Sequence, residues 1–453
     1  MMRSIGFNFI APIFLATLLL WMQPAAAVEV ERVMSPGGIE AWLVRDNSIP
    51  ITALEFSFRD GGSTGDPKGK AGIANMASSL LDEGAGALDS QAFQGQLEDH
   101  AIRLSFAAGL ETLRGSLKTL SQNRHKAVGL LRLALTQPRF DSDAVARIRQ
   151  QIKVGLMRSE TNPNSRASRI WRRAMFDDHP NGRPVSGTLA SLAAITAEDL
   201  KHFAATRMTK DKLIIGAVGD INAKDLATLL DDVFSALPKS TAKTPEITIA
   251  SPRAQGNVYI VPMDIPQSVV LFGQPGLQRN DPDYYPAYVM NYILGGGGFA
   301  SRLYNEVREK RGLVYSVYSH LNTMKTGPLI SGGLATRNNQ VVDALALVRA
   351  EWAKMRTQGV TSDELKRAKQ HLNGAFPLRM SSTSSIARML VGMQYENLGI
   401  DYLDRRAGFI NKIKQTDITR AAKRLLDPDN LTVVIVGNPE KIKPTAKTPN
   451  IDR

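Results

Sequence analysis

Cysteine is absent from all 453 residues. A chain without it has no disulfide, no thiolate nucleophile and no cysteine-built zinc site, so its core alone must hold the fold. Histidine is scarce. The six are His100, His125, His179, His202, His320 and His371, and none has another three or four residues away. That excludes a zinc site built on two histidines from one helix turn. Asp99-His100 ends a helical stretch and Asp178-His179 stands in a loop beside Pro180, both ordinary places for a surface or structural imidazole. Long apolar runs are also lacking. The one candidate, Ile10 to Trp21, falls short of the roughly 20 residues of a spanning helix, and Pro12 and Pro24 interrupt its flanks. Arg3 precedes it and Ala25-Ala26-Ala27 follows, so residues 1–27 read as a secretory signal cleaved after Ala27, with a retained anchor as the rival.

Cations are in excess: Lys and Arg number 56 against 43 Asp and Glu, a formal net charge of +13. Export argues against nucleic acid and leaves a solvated basic surface that favours anionic or peptide partners. Export without cysteine fits a periplasm. The length is more than one core needs, so the chain should divide into domains.

IEAWLV and ITALEFSF, within residues 28–60, alternate as strands do. The loop GGSTGDPKGK (61–70) fails as a phosphate loop, because Thr64 stands where that spacing needs Gly and Ala71 where it needs Ser or Thr. Helical periodicity covers 71–82, with Ile73, Met76, Ala77, Leu80 and Leu81 on one side. Further helices are expected over 90–98, 124–136 and 141–158, a strand over 102–107, and a loop over 179–188. ITAEDLKHFAATRM reads as a helix capped by Thr196 with Asp199 at its third position, and KLIIGAVGD as a buried strand.

Two segment pairs recur at nearly the same separation. ITAEDLKHFAATRMTKDKLIIGAVGD (195–220) matches IKQTDITRAAKRLLDPDNLTVVIVGN (413–438) without a gap, Asp199 meeting Asp417 and Gly219 meeting Gly437. SDAVARIRQQI (142–152) matches SDELKRAKQHL (362–372). The chain therefore reads as an α+β tandem duplication of two mixed α/β halves, 28–237 and 257–440. A proline-bearing linker (238–256) joins them, and a polar tail (441–453) should fray. Two like halves suggest a clam-shaped molecule with its ligand between them.

In the second half, Gly295, Gly296, Gly297 and Gly298 lead into a charged helical segment that ends at Lys310-Arg311-Gly312 and becomes a strand, Leu313 to Tyr318. Gly312 stands where a helix C-terminus needs a left-handed residue. The plain reading is that Arg311 caps a helix, Tyr315 packs in a sheet and the glycines make a flexible turn before Ser301.

GGSTGDPKGKAGIANMASSLLDEGAG, FDSDAVARIRQQIKVGL, HPNGRPVSGTLASLAAIT and ILGGGGFASRLYNEVREKRGLVYSV, in this order, resemble successive segments of the insulinase-like (pitrilysin) zinc peptidases. Within them the chain is similar to half-size bacterial subunits of the mitochondrial processing peptidase type, over about residues 30–440. The resemblance implies a metallohydrolase-like fold and a zinc motif H-x-x-E-H on the first helix after the GGS loop. At those positions stand Asn75, Ser78 and Ser79; the third ligand position falls on Gly155 and a supporting acid on Ile148. An amide and two hydroxyls are poor zinc ligands, and Ser78 cannot be a carboxylate base, so no metal is expected in this chain. The family's substrate-binding Arg and Tyr fall on Arg311 and Tyr315, and its glycine-rich loop on Gly295 to Gly298. The expectation is a non-catalytic, substrate-binding subunit of a periplasmic heterodimeric zinc endopeptidase, with zinc in the partner, a peptide as substrate, and no nucleic acid. The alternative is a pseudoenzyme acting alone as a peptide-binding or scaffold protein.

Overall fold

The computed structural model describes residues 28–240 and 249–451. The expected signal and the middle of the linker lie outside them. The first sheet contains β1 (Glu31–Met34), β2 (Glu40–Arg45), β3 (Ile51–Arg59), β4 (Arg103–Ala108), β5 (Thr112–Leu120) and β6 (Leu213–Gly219), in the order β1-β2-β6-β3-β5-β4. Alternation sets its faces. In β3, Leu54, Phe56 and Phe58 enter the core of the first half, while Glu55, Ser57 and Arg59 point to the other side. Phe56 meets Phe58, Phe106 and Phe234 edge to face, the geometry that ring quadrupoles favour.

The second sheet contains β7 (Val258–Val261), β8 (Gln267–Pro275), β9 (Val314–Asn322), β10 (Leu329–Arg337) and β11 (Thr432–Val436), in the order β7-β11-β8-β10-β9. It repeats β2-β6-β3-β5-β4 strand for strand. β7·β11 is parallel as β2·β6 is, and the remaining pairs in both sheets are antiparallel. The segments matched in sequence occupy matching elements. Helix Ala197–Arg207 with β6 corresponds to helix Gln415–Leu425 with β11, and helix Ser142–Thr161 to helix Ser362–Gly374. Thr196 and Asp199 form the expected reciprocal cap, and both Gly219 and Gly437 have positive φ (129° and 145°) at the strand end.

The halves do not simply face each other across a linker. Helix Pro163–Phe176 of the first half lies on the second sheet, where Ile170, Trp171, Met175 and Phe176 pack with Val261, Val269, Val434 and Val436. Helix Thr383–Tyr395 of the second half lies on the first sheet, where Ile386, Ala387, Leu390 and Met393 pack with Trp42, Val44 and Val218. Each large buried side chain contributes about 1.5–3 kcal/mol, so either crossing helix holds on the order of 10 kcal/mol of gross burial. The halves cannot rock apart without losing it.

Polar groups fasten the same seam. Tyr395 Oη donates to Glu111 Oε2 at 2.9 Å, and Glu111 Oε1 accepts from Thr326 N and Oγ1, both at 2.8 Å. Lys325 Nζ and Arg59 Nη1 both donate to the Tyr395 carbonyl, at 2.6 and 2.9 Å. Burial, and then the Glu111 carboxylate, raise the Tyr395 phenol far above its ordinary range, so it stays a donor. A cavity of about 380 Å³ beside this cluster, lined by Glu55, Arg114, Met324 and Glu396 among others, lies between the halves.

Two expectations need correction. The helix expected over 71–82 covers only Ile73–Ser78. The tail is tied down rather than frayed: Thr445 N donates to Val258 O at 2.9 Å and Thr445 Oγ1 accepts from Val258 N at 2.8 Å. β7 is an edge strand, and the returning tail satisfies its open backbone groups. The described ends of the linker are likewise held, Ala250 N by Thr326 O and Arg253 N by Met175 O, both at 2.8 Å.

Candidate functional site

The first of two candidate regions is the short helix Ile73–Ser78. Asp66 sets its start by accepting from Gly72 N at 2.6 Å and Ala74 N at 3.3 Å. Burial pushes the Asp66 carboxyl up to about 7, against those two amides and the nearby Arg207 and Arg183. The helix stops where hydroxyls compete for its carbonyls. Ser78 Oγ and Ser79 Oγ each donate to Asn75 O at 2.9 Å, and Ser78 Oγ also accepts from Ala108 N at 3.2 Å. Ser78 thus ties the helix to β4, with 2% of its surface exposed.

The position expected to match a third ligand, Gly155, lies exposed on helix Ser142–Thr161, which packs against this short helix. Ile148 is buried in the core of the first half. These groups do not fit zinc: two hydroxyls are engaged with their own helix, the third donor is an amide, and the fourth position has no side chain. Among the described residues no cluster of three or more His, Asp or Glu could hold a metal ion. His371 stacks on Tyr292 at 5.2 Å and His100 Nδ1 lies 3.0 Å from Gln96 O. A serine hydrolase is set aside on the sequence for want of G-x-S-x-G, and that ground needs correction, because residues 61–65 do spell it. Ser63 is 5% exposed in a single 3-10 turn after β3, without the exposed strand-to-helix elbow that such a nucleophile requires.

The second region begins at helix Tyr284–Asn291, which widens into a π-helical turn over Tyr292–Gly296; Gly297 N bonds to Tyr292 O at 2.8 Å. The four glycines differ. Gly295 is buried against β9, where a Cβ would come within 2.5 Å of Ser319 Oγ. Ser319 Oγ is itself held by Asn291 Oδ1 at 2.7 Å. Gly296 and Gly297 are also hemmed in, by Asn291 and Tyr292, whereas Gly298 has φ of 55° and open space around it. Close packing accounts for three glycines and backbone conformation for the fourth.

A second π-helical segment, Tyr304–Glu309, runs to the turn before β9. Gly312 has φ of 60°; its N bonds to Arg308 O at 2.8 Å and Leu313 N to Val307 O at 3.1 Å. The closure resembles a Schellman motif widened by one residue, as the π-helical segment before it requires, and Leu313 and Val307 both join the core of the second half. Arg302 clamps the segment from below, its fork meeting Glu364 at 2.7 and 2.8 Å.

Arg311 and Tyr315 emerge on either side of that turn, both exposed. Arg311 Nη1 donates to Glu306 Oε2 and to Glu306 O, both at 2.8 Å. Its Nε and Nη2 have no partner among the described residues. Lys310 and then Arg311 hold the Glu306 carboxyl below the usual carboxylate range, so this anchor stays charged. Tyr315 is 82% exposed.

Two residues here escaped the sequence reading. Phe299 is 79% exposed and meets Tyr304 edge to face at 4.6 Å. Arg308 stands amid the rings, 4.6 Å from Tyr304, 5.5 Å from Tyr315 and 5.8 Å from Phe299. An arginine on one helical turn and aromatics from both sides can be matched only through the fold. The result is a forked cation, a free phenol and an aromatic rim, suited to holding peptide carbonyls and side chains.

Residues 194–372 match the family model described as peptidase M16 inactive domain. The chain is 28% identical over 434 residues to a Helicobacter pylori protein named non-peptidase homolog YmxG, covering 95% of this chain and 99% of that one. A crystal structure titled peptidase M16 inactive domain, from Pseudomonas fluorescens, superposes with a TM-score of 0.85 at 29% identity, over 92% of this chain and 99% of that one. The periplasmic protease PqqL from Escherichia coli shares the fold at a TM-score of 0.76 and 14% identity, over 91% of this chain and 45% of that longer one.

Proposed function

We propose that this chain, which belongs to the M16 peptidase family through its inactive domain, is the non-catalytic, peptide-binding subunit of a two-chain zinc endopeptidase outside the cytoplasm. One observation carries the reading. The positions that match the zinc motif hold an amide, two hydroxyls bonded to their own helix and a glycine, while Arg311 and Tyr315 stand exposed on a closed turn. A free guanidinium edge binds peptide carbonyl oxygens, and a phenol donates to the oxyanion that develops when a peptide bond is cleaved. Both need a reaction centre opposite them, and among the described residues no group of three or more His, Asp or Glu could hold a metal for it. The partner is then a homologue with an intact H-x-x-E-H. Export rests on the N-terminal pattern, and no helix among the described residues is long and apolar enough to cross a membrane.

The test is reconstitution. The isolated chain should carry no stoichiometric zinc and cleave no peptide. Co-expression with a zinc-bearing homologue should give a heterodimer on size analysis and peptide cleavage. One tightly held zinc per isolated chain, or full activity of an R311A complex, overturns the reading. The name of the Helicobacter relative favours a second reading, a stand-alone peptide-binding or scaffold protein. It predicts peptide binding with no peptidase partner.

A further inference from the structure

We infer that the uncovered part of the first sheet is a docking strip for an extended acidic peptide, a refinement that rests on the peptide-binding reading above. The crossing helix Thr383–Tyr395 covers β2, β6 and β3 but leaves β5 and β4 bare. On that bare face the register sets Arg103 opposite Lys118, Ser105 opposite Ser116 and Ala107 opposite Arg114. The opposite face of the same strands carries Leu104, Leu113 and Leu117 into the core, so Arg103, Ser105 and Arg114 have no interior to serve. β4 (RLSFAA) and β5 (TLRGSLKTL) contain no carboxylate. Arg103, Arg114 and Lys118 form no ion pair among the described residues. Three carboxylates border the cavity that Arg114 lines, Glu55, Glu111 and Glu396; Glu55 is held by Ser116 Oγ at 2.9 Å and Arg388 Nη2 at 3.2 Å, and Glu111 by Tyr395 and Thr326.

The spacing selects the ligand. Arg103 and Lys118 are cross-strand neighbours, roughly 5 Å apart at Cβ. Arg114 lies four residues from Lys118 along the strand, about 13 Å away. In an extended chain that distance separates side chains i and i+4, which point to the same side. The strip therefore suits two acidic side chains four residues apart, with Ser105 as a neutral donor between them, since the Ser116 hydroxyl is already given to Glu55. β4 is the sheet edge, so a peptide can also use its open backbone groups, which a phosphodiester chain cannot match.

The experiment uses the isolated full chain and fluorescein-labelled ten-residue peptides with Glu, Gln or Lys at positions 3 and 7, read by anisotropy. The Glu peptide should bind most tightly and the Lys peptide least, and the preference should shrink between 50 and 500 mM salt, as expected for exposed charges. R103Q/K118Q, and separately R114Q, keep the strand polar and should each weaken the Glu peptide about three- to tenfold while leaving the Gln peptide unchanged. Equal binding of the three peptides, or variants that keep the discrimination, overturns the inference. So does a ten-nucleotide single strand or an anionic vesicle that displaces the Glu peptide at lower charge concentration than unlabelled Glu peptide does. This failure is separable from that of the proposed function, which is read by R311A in the reconstituted complex and not by charge preference in the isolated chain.

Discussion

The short helix at Asn75 to Ser79 and the turn at Arg311 to Tyr315 differ in where their polar groups point. In the first, hydroxyls are turned inward and spent on a helix carbonyl and a strand amide. In the second, a half-buried clamp of Arg302 and Glu364 and a turn closed at left-handed Gly312 hold exposed groups outward. Polar side chains that satisfy their own backbone stabilise a fold and do no chemistry. Polar side chains held apart from the backbone by a rigid mount are available to a ligand. The comparison therefore separates structure from function between two regions that sequence motifs alone would treat alike.

Four measurements can break or sharpen it. Trp171→Ala should have the largest effect, because the 6% exposed indole fills the second sheet from a first-half helix and its Nε1 donates to Thr432 O at 3.3 Å. A loss of about 3–5 kcal/mol in urea unfolding is expected, in one transition for both halves. Two separated transitions would show that the halves fold independently. Arg311→Ala should lower kcat/KM of the reconstituted complex about 10²–10³-fold. Its melting temperature should hardly move, since an exposed ion pair contributes about 0–1 kcal/mol.

Glu364→Gln tests the clamp. Burial disfavours the charged form of Glu364, but the Arg302 fork and the Thr361 amide outweigh it and hold the carboxyl at about 2. A folded-state value below the ordinary one near 4.3 means that the clamp contributes above about pH 4 and is lost as pH falls toward 2. The variant should lose on the order of 2 kcal/mol at pH 7 and show a flatter acid limb in stability between pH 4.5 and 2. Ser78→Ala should be mildest, costing about 1 kcal/mol because it removes the acceptor of the half-buried Ala108 N–H, with peptide cleavage by the complex unchanged. A loss of activity from Ser78→Ala with stability intact would place function in the first region and undo the comparison.

Much of this was legible along the chain. Alternation marks β2 and β3, and the Thr196–Asp199 cap and left-handed Gly312 follow from residue type and position. The repeat announces two sheets of one topology because equal local patterns build equal local elements. The vacated zinc positions are equally local, since four residue identities suffice to exclude the ligands. The short helix was not legible. Residues 71–82 keep helical apolar spacing, but Gly72 at φ 94° and the two serine hydroxyls end the helix at either side.

The sequence by itself determined the elements, their repetition and the absence of a metal-binding motif, because each depends on neighbours within a few residues. Only the tertiary structure decided that the halves exchange helices, that Arg308 gathers Phe299, Tyr304 and Tyr315, and that a basic strip stays bare on β4 and β5. Those depend on which surfaces meet across two hundred residues, and on which polar groups are left without a neighbour when the apolar faces have been buried.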